Sequence, residues 1–287
     1  MRSPDAMTKA RTLLEAMPYI REYRNRVVVV KLGGEALDDP ASATSVAEDL
    51  AVLTLVGVRV VVVHGGGPQI SRAMEAQGLK ARFVDGLRVT DEASMDVVQQ
   101  VLIGEINARL VGRLNQAGAA AVGVSGMDAS CLVAETTASS SGHDLGRVGT
   151  VVEVRPGYIA SLLEQGFTPV VASVAPTRDG IAHNVNADAA AAAVAAALEA
   201  EKLVYVTNVE GLYRDLGDRD SLMSEIKSDE LAQLLPTLSS GMRPKAESAL
   251  AAISGGVAKI HIIDGRVEHA LLLEIFTPEG VGTQVLP

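Results

Sequence analysis

Six short apolar runs, at 27–30, 58–63, 119–124, 169–172, 203–206 and 259–263, narrow the fold more than any other feature of this chain. Most are built from Val and Ile, with little alternation of apolar and polar residues. A strand that is apolar throughout is covered on both faces. The stretches between the runs, at 41–55, 69–77, 92–116, 161–165, 188–199 and 245–254, have the length and composition of helices. A β-α-β-α order of two-sided strands predicts an α/β fold. Its architecture is a three-layer αβα sandwich around a mainly parallel sheet, joined by right-handed crossovers.

With 287 residues, 48% of them hydrophobic, the chain has enough apolar material for one large domain or two closely joined lobes. A single cysteine, Cys131, excludes an internal disulfide and reads as a buried thiol, which fits a reducing cytoplasm. The first 26 residues carry scattered charges and no unbroken apolar core of a targeting segment. The longest apolar run, 189–198, is too short to span a bilayer. A cytoplasmic protein with no membrane partner is expected. A formal net charge of -10 argues against a nucleic-acid partner, so any anionic substrate must meet a local positive field.

Ahead of the first strand, residues 10–24 place Leu13, Leu14, Met17, Ile20 and Tyr23 on a helical stripe, with Pro18 expected to kink or interrupt it. An apolar stripe outside the sheet needs a partner surface. Residues 136–149 are rich in Ser and Gly and read as a loop, with 148–154 closing a hairpin behind it.

Two glycine clusters each follow a Val-rich run directly, Lys31-Leu32-Gly33-Gly34 and His64-Gly65-Gly66-Gly67. Turns of this kind sit at the carboxyl edge of a parallel sheet, where main-chain N–H groups can converge on an anion beside a helix N-terminus. Each cluster alone is equally consistent with a tight structural turn. Neither matches G-x-G-x-x-G, and no G-x-x-x-x-G-K-[ST] occurs, which removes the dinucleotide-binding and P-loop readings. Three further segments stand out: Gly86-Leu87-Arg88-Val89-Thr90, Asn184-Val185-Asn186-Ala187-Asp188 and Gly241-Met242-Arg243-Pro244-Lys245. Asp188 by default reads as a helix cap. Lys245 opposes the dipole of the helix it begins, which points to an anion held nearby. The five histidines show no metal-ligand spacing, and His64 reads as a shaper of the glycine turn.

Taken in order, VVVVKLGGE, VVVHGGGPQI, DGLRVT, NVNAD and GMRPK resemble the acetylglutamate kinases of the amino-acid kinase superfamily along essentially the whole chain. That resemblance implies transfer of the ATP γ-phosphoryl group to the side-chain carboxylate of N-acetyl-L-glutamate. It further implies Lys31 and Lys245 flanking the transferred group, with Asp188 holding both ammonium groups. Gly34 and Gly66 would donate N–H groups to phosphoryl oxygens, and Gly66, Gly67, Arg88 and Asn184 would bind acetylglutamate. Mg2+ would arrive with ATP, without a dedicated protein metal site. Asn208 departs from the family, whose members commonly carry Asp there.

The resemblance extends to regulation. TKARTLLEAMPYIREYRNR looks like the extra N-terminal helix of the arginine-sensitive members, in which such helices join dimers into a hexameric ring. HALLLEIFTPEGVGTQV resembles the segment that receives L-arginine. On this basis Lys202, Glu274 and Gly280, with Tyr19 or Tyr23, are the effector candidates. An ordinary solvated acid is the alternative for Glu274. The expected organisation is 1–26 for assembly and regulation, 27–200 for acetylglutamate binding and dimerisation, and 201–287 for nucleotide and effector. Other readings stay open: a kinase for aspartate or carrier-bound aminoadipate, an arginine-sensing protein without catalysis, or a protein that docks a PII-type signalling partner.

Overall fold

The computed structural model describes residues 4–34, 38–139, 142–214, 217–239, 241–277 and 280–287. Glu35 of the first glycine motif, Ser140 and Ser141 of the Ser/Gly loop, and Pro278 and Glu279 of the tail lie outside the described residues. In chain order the elements begin with α1 (Pro4–Tyr23), β1 (Val27–Leu32), α2 (Pro40–Leu55), β2 (Arg59–His64), α3 (Gly67–Ala76), β3 (Phe83–Val84) and β4 (Leu87–Arg88). There follow α4 (Glu92–Gln99), a π-helical segment (Gln100–Asn107), α5 (Ala108–Ala117), β5 (Ala121–Ser125), β6 (Leu132–Thr136), β7 (Val148–Val154) and α6 (Gly157–Glu164). The chain continues through β8 (Thr168–Ala172), β9 (Val174–Pro176), β10 (Ala182–Val185), α7 (Ala187–Ala197) and β11 (Lys202–Thr207). It ends with β12 (Glu225–Lys227), α8 (Ser228–Leu234), α9 (Arg243–Ser254), β13 (Lys259–Asp264), α10 (Ala270–Phe276) and β14 (Thr283–Leu286).

Eight strands form one sheet in the order β12-β14-β13-β11-β1-β2-β8-β5. Central β1 runs parallel to both neighbours, with Val29 opposite Val61 on β2 and Val30 opposite Val204 on β11. The sheet is parallel from β13 to β5, and β14 pairs antiparallel with β13. Period-two alternation along the valine runs divides the apolar side chains between two cores. Val28, Val30, Leu32, Val60, Val62 and Val204 pack against α2, the 92–117 helical layer and α10. Val29, Val61, Val63, Leu203, Tyr205 and Ile260 pack against α6, α7, α8 and α9. The α/β three-layer expectation holds, and the continuous valine runs are explained by burial on both faces.

A second sheet, β6-β7-β10-β9, lies outside the six expected strands. Its β6 and β7 are the antiparallel hairpin foreseen around the Ser/Gly loop. The β3–β4 hairpin turns at Asp85 and Gly86, both at positive φ, as tight hairpin turns require.

Two expectations need correction. Helix α1 runs continuously through Pro18. The carbonyl that Pro18 leaves without a donor belongs to the stretch around Leu14, which is 71% exposed, so water can satisfy it. The 92–116 helix is also not uniform, because its middle widens into the π-helical segment. That wider turn delivers Asn107, a polar residue only 4% exposed, into the interior. The end of α1 is seated, with Tyr23 buried and Lys259 3.4 Å from Glu22, whereas Leu13 and Leu14 remain exposed.

The alanine run of α7 has a packing reason. A Cβ on Gly255, just beyond α9, would lie 2.6 Å from the Cβ of Ala196, so the two helix ends meet almost backbone to backbone. Gly255→Ala is expected to destabilise the fold by about 1–3 kcal/mol through overpacking, read as a lowered midpoint in urea. An unchanged midpoint would show that the contact yields freely.

Candidate active site

One carboxylate gathers two cations at the carboxyl edge of the sheet. Lys31, the fifth residue of β1, faces the α7/α9 side in an otherwise apolar strand, and its Nζ is 2.7 Å from Asp188 Oδ1. Lys245, in the first turn of α9, places its Nζ 3.3 Å from Asp188 Oδ2. The Asp188 and Lys31 side chains are almost fully buried, and Lys245 is partly so. The default reading of Asp188 as a cap is overturned: Asn186 caps α7, its Oδ1 accepting from the N–H groups of Asp188 (2.8 Å) and Ala189 (3.0 Å). The Asp188 carboxylate is thereby left for the lysines. It is also the anion that offsets the placing of Lys245 at a helix N-terminus.

Burial pushes the Asp188 carboxyl up, but the charges of Lys31 and Lys245 outweigh it and hold the carboxyl below its ordinary value. Lys31 is pushed down, first by burial, with the Lys245 charge adding and Asp188 opposing. The triad carries one net positive charge in a chain whose net charge is -10.

Lys31 and Asp188 line a cleft of about 240 Å³, together with Gly34, Gly66, Gly67, Arg88 and Asn184. The structure therefore brings together Lys31, Gly34, Gly66, Gly67, Arg88, Asn184 and Asp188 from the glycine, DGLRVT and NVNAD motifs, with Lys245 joining through Asp188. Gly34 is held by Gln69, whose Nε2 donates to its carbonyl at 2.8 Å and to Asp38 at 2.9 Å. The start of α3, with Pro68 in its first turn, opens on the same cleft and adds the partial positive charge of a helix N-terminus. Arg88 lies 4.7 Å from the Phe83 ring centroid, and its Nη2 donates to Gly67 O (2.9 Å) and Ser71 Oγ (2.8 Å). Part of its guanidinium fork is thus committed to the protein. Asn184 is turned by Thr90, to whose Oγ1 it donates at 3.4 Å.

Sequence reasoning assigned no role to Phe83, Ser173 or Asn186, which also line the cleft. Asn186 could have been found in NVNAD, because an Asn two residues before the first-turn acid is a strong cap. Ser173 lies between β8 and β9 with no local signal. Asn208 directly follows β11 at the same edge of the sheet.

The effector candidates lie elsewhere. Lys202, Glu274 and Gly280 line a separate pocket of about 180 Å³, with Tyr19, Tyr23 and His261. Glu274 is not a solvated acid: it is 7% exposed, its Oε2 accepts from Val281 N–H at 2.7 Å, and its Oε1 is bonded to His261 Nδ1. Burial pushes Glu274 up, yet His261, the Val281 N–H and the charge of Lys202 bring it below its ordinary value. Gly280 has φ +61°, and a Cβ there would lie 2.9 Å from Glu274 Oε2. Lys202 Nζ is 4.9 Å from the Tyr23 ring centroid, and burial foremost, then Lys259, lowers its pKa to about 8.

The family model of the amino acid kinase family matches residues 26–264. An acetylglutamate kinase of Saccharopolyspora erythraea is 50% identical over 98% of this chain and 94% of its own length. The crystal structure of N-acetylglutamate synthase from Neisseria gonorrhoeae with coenzyme A and N-acetyl-glutamate is 30% identical, with a TM-score of 0.87 over 97% of this chain. The same synthase with coenzyme A and L-arginine has a TM-score of 0.82 over 96% of this chain. The chain spans 63% and 65% of those two synthase chains.

Replacing the shared carboxylate tests the triad. Asp188→Asn is expected to lower the pH at which Lys31 loses its proton, because an attractive charge disappears while the repulsion from Lys245 remains. An NMR titration of labelled lysine side chains reads this directly, and an unchanged or higher midpoint would contradict the arrangement.

Proposed function

From the premise that the chain belongs to the amino acid kinase family and stands among its acetylglutamate kinases, we propose that the Lys31–Asp188–Lys245 cleft is where it phosphorylates N-acetyl-L-glutamate, a step of arginine biosynthesis. The observation that carries this assignment is the pair of ammonium groups held by one buried carboxylate beside two glycine turns.

The acceptor is a side-chain carboxylate, ionised at neutral pH because its ordinary pKa is about 4. It attacks the γ-phosphorus of ATP without a general base, the bond to the β-phosphate oxygen breaks, and ADP leaves with that electron pair. The barrier is repulsion between anions, so positioning and charge stabilisation dominate. Each lysine has three N–H donors and gives only part of them to Asp188, leaving the rest for phosphoryl oxygens. Lys31 serves the β- and γ-phosphates and Lys245 the leaving side. The N–H groups of Gly34 and Gly66 receive the migrating group. Gly67, Asn184 and the uncommitted edge of Arg88 hold acetylglutamate. Mg2+ would be held by the nucleotide phosphates rather than by this chain, and would supply charge neutralisation there. Residues 27–200 serve as the acetylglutamate lobe and 201–287 as the nucleotide and effector lobe.

Mg-ATP turnover with N-acetyl-L-glutamate, aspartate or aminoadipate, with hydroxylamine trapping of acyl phosphate, tests the substrate. Acyl phosphate from acetylglutamate is expected well above the other two, and its absence from folded protein would sink the assignment. Lys31→Ala should lower kcat by about 100-fold or more with a smaller change in KM. Arg88→Lys should raise the KM for acetylglutamate by about tenfold, because an ammonium cannot reproduce a planar fork.

The second pocket supports feedback control by L-arginine. Glu274, ionised and buried, suits a guanidinium, and Lys202 suits an α-carboxylate. That the structurally similar synthase is complexed with L-arginine in a crystal structure supports an arginine ligand for this chain. The exposed Leu13 and Leu14 of α1 would meet the same helix of a second copy, the contact that builds a homohexamer from dimers. Lys202 is charged below about pH 8 and neutral above it. Arginine inhibition is therefore expected to weaken as pH rises through that value, and a half-inhibiting concentration unchanged from pH 7 to 9.5 would contradict the role of Lys202.

A further inference from the structure

We infer that Asn107 and His64 are positioning residues for the phosphoryl-transfer step: together they fix the peptide between Gly65 and Gly66 so that the Gly66 N–H is turned into the cleft. The inference rests on the reading of that cleft given above, and neither residue is among those assigned a contact with substrate.

The chain of contacts has only one consistent sense. The Asn107 carboxamide nitrogen lies 2.8 Å from Val170 O, which can only accept, so the nitrogen end of the amide faces inward. The same nitrogen is 3.0 Å from His64 Nε2. An NH2 group only donates, so Nε2 must accept and the ring proton resides on Nδ1. Nδ1 is 3.2 Å from Gly65 O and donates to it. His64 is fully buried, and burial pushes its pKa down to about 4, with the Lys31 charge adding, so the ring is neutral and holds one tautomer.

The carbonyl of Gly65 and the N–H of Gly66 belong to one planar, trans peptide and point in opposite directions. Anchoring the first therefore aims the second. The other side of the turn is closed: a Cβ on Gly66 would lie 2.2 Å from Ile106 Cδ1, so the peptide is gripped between His64 and the π-helical segment. The wide turn at Gln100–Asn107 supplies both Ile106 and Asn107 to this grip. Gly123 makes room for the amide, since a Cβ there would fall 2.1 Å from Asn107 Oδ1.

Nitrogen NMR of the labelled histidine rings in the native, full-length protein tests the tautomer without any assay of activity. A neutral His64 with its proton on Nδ1 at pH 7 is expected; a proton on Nε2, or an imidazolium, would overturn the inference. In parallel, His64→Leu removes the donor, whereas His64→Asn puts an amide nitrogen close to the place of Nδ1. His64→Leu should lower kcat by about tenfold or more, with KM for both substrates within about threefold, and His64→Asn should recover most of that loss. Equal activity in the two variants, high or low, would also overturn it. If His64→Leu does not fold, the ring tautomer of the unsubstituted protein decides. Absence of acetylglutamate turnover in the unsubstituted protein would instead count against the function, whatever the tautomer.

Discussion

A buried carboxylate between two ammonium groups sets the terms for this molecule. Asp188 alone would be costly to bury, and Lys31 beside Lys245 would repel, but the three together leave a single positive charge in a confined place. The triad also joins β1, α7 and α9, so the geometry of the cleft depends on how those elements pack. Their packing is tight because α7 is nearly all alanine. An acidic chain thereby offers anions a cationic cleft without becoming basic overall.

The two-sided burial of the sheet has a further consequence. With helices covering both faces, the strand ends are what remains for binding polar ligands. The Lys31–Asp188 cleft takes the carboxyl edge, where β1 and β2 finish in Lys31-Leu32 and His64. The Lys202 pocket takes the opposite edge, at the first residues of β11 and β13 and the end of α1. The two sites do not compete for space, yet they lie on neighbouring strands, β1 and β11, of one sheet.

The layered fold was legible because valine runs and intervening helices follow local rules, and the cleft was legible because its glycine motifs sit directly after those strands. What was not legible arises from long-range contacts. The small second sheet uses short strands such as Val174–Pro176, whose pairing is fixed by neighbours rather than by periodicity. The π-helical segment has no composition of its own; it exists where Asn107 reaches Val170 and His64, 63 and 43 residues away in sequence. His261 was visible only as a histidine without metal spacing, and its partnership with Glu274 needs β13 and α10 to be packed together. Pro18 shows the reverse error, a strong local rule set aside where the chain around Leu14 is exposed.

The pairing of β1 with β11 bears on how a ligand in the second pocket would be felt in the first. Lys202 and Tyr205 are three residues apart on β11, roughly 10 Å along the strand. Tyr205 lies opposite Lys31 in the parallel register, and its hydroxyl donates to Asp188 O at 3.4 Å. A rigid strand does not by itself transmit inhibition. A ligand at Lys202 and Glu274 changes activity only by binding more tightly to an arrangement in which the Lys31–Asp188–Lys245 triad is opened or misaligned. Of the elements that line the pocket, α1 is seated through its last turns, where Tyr23 is buried, and α10 carries Glu274. The central strands are packed on both faces and are the fixed frame against which such a movement would take place.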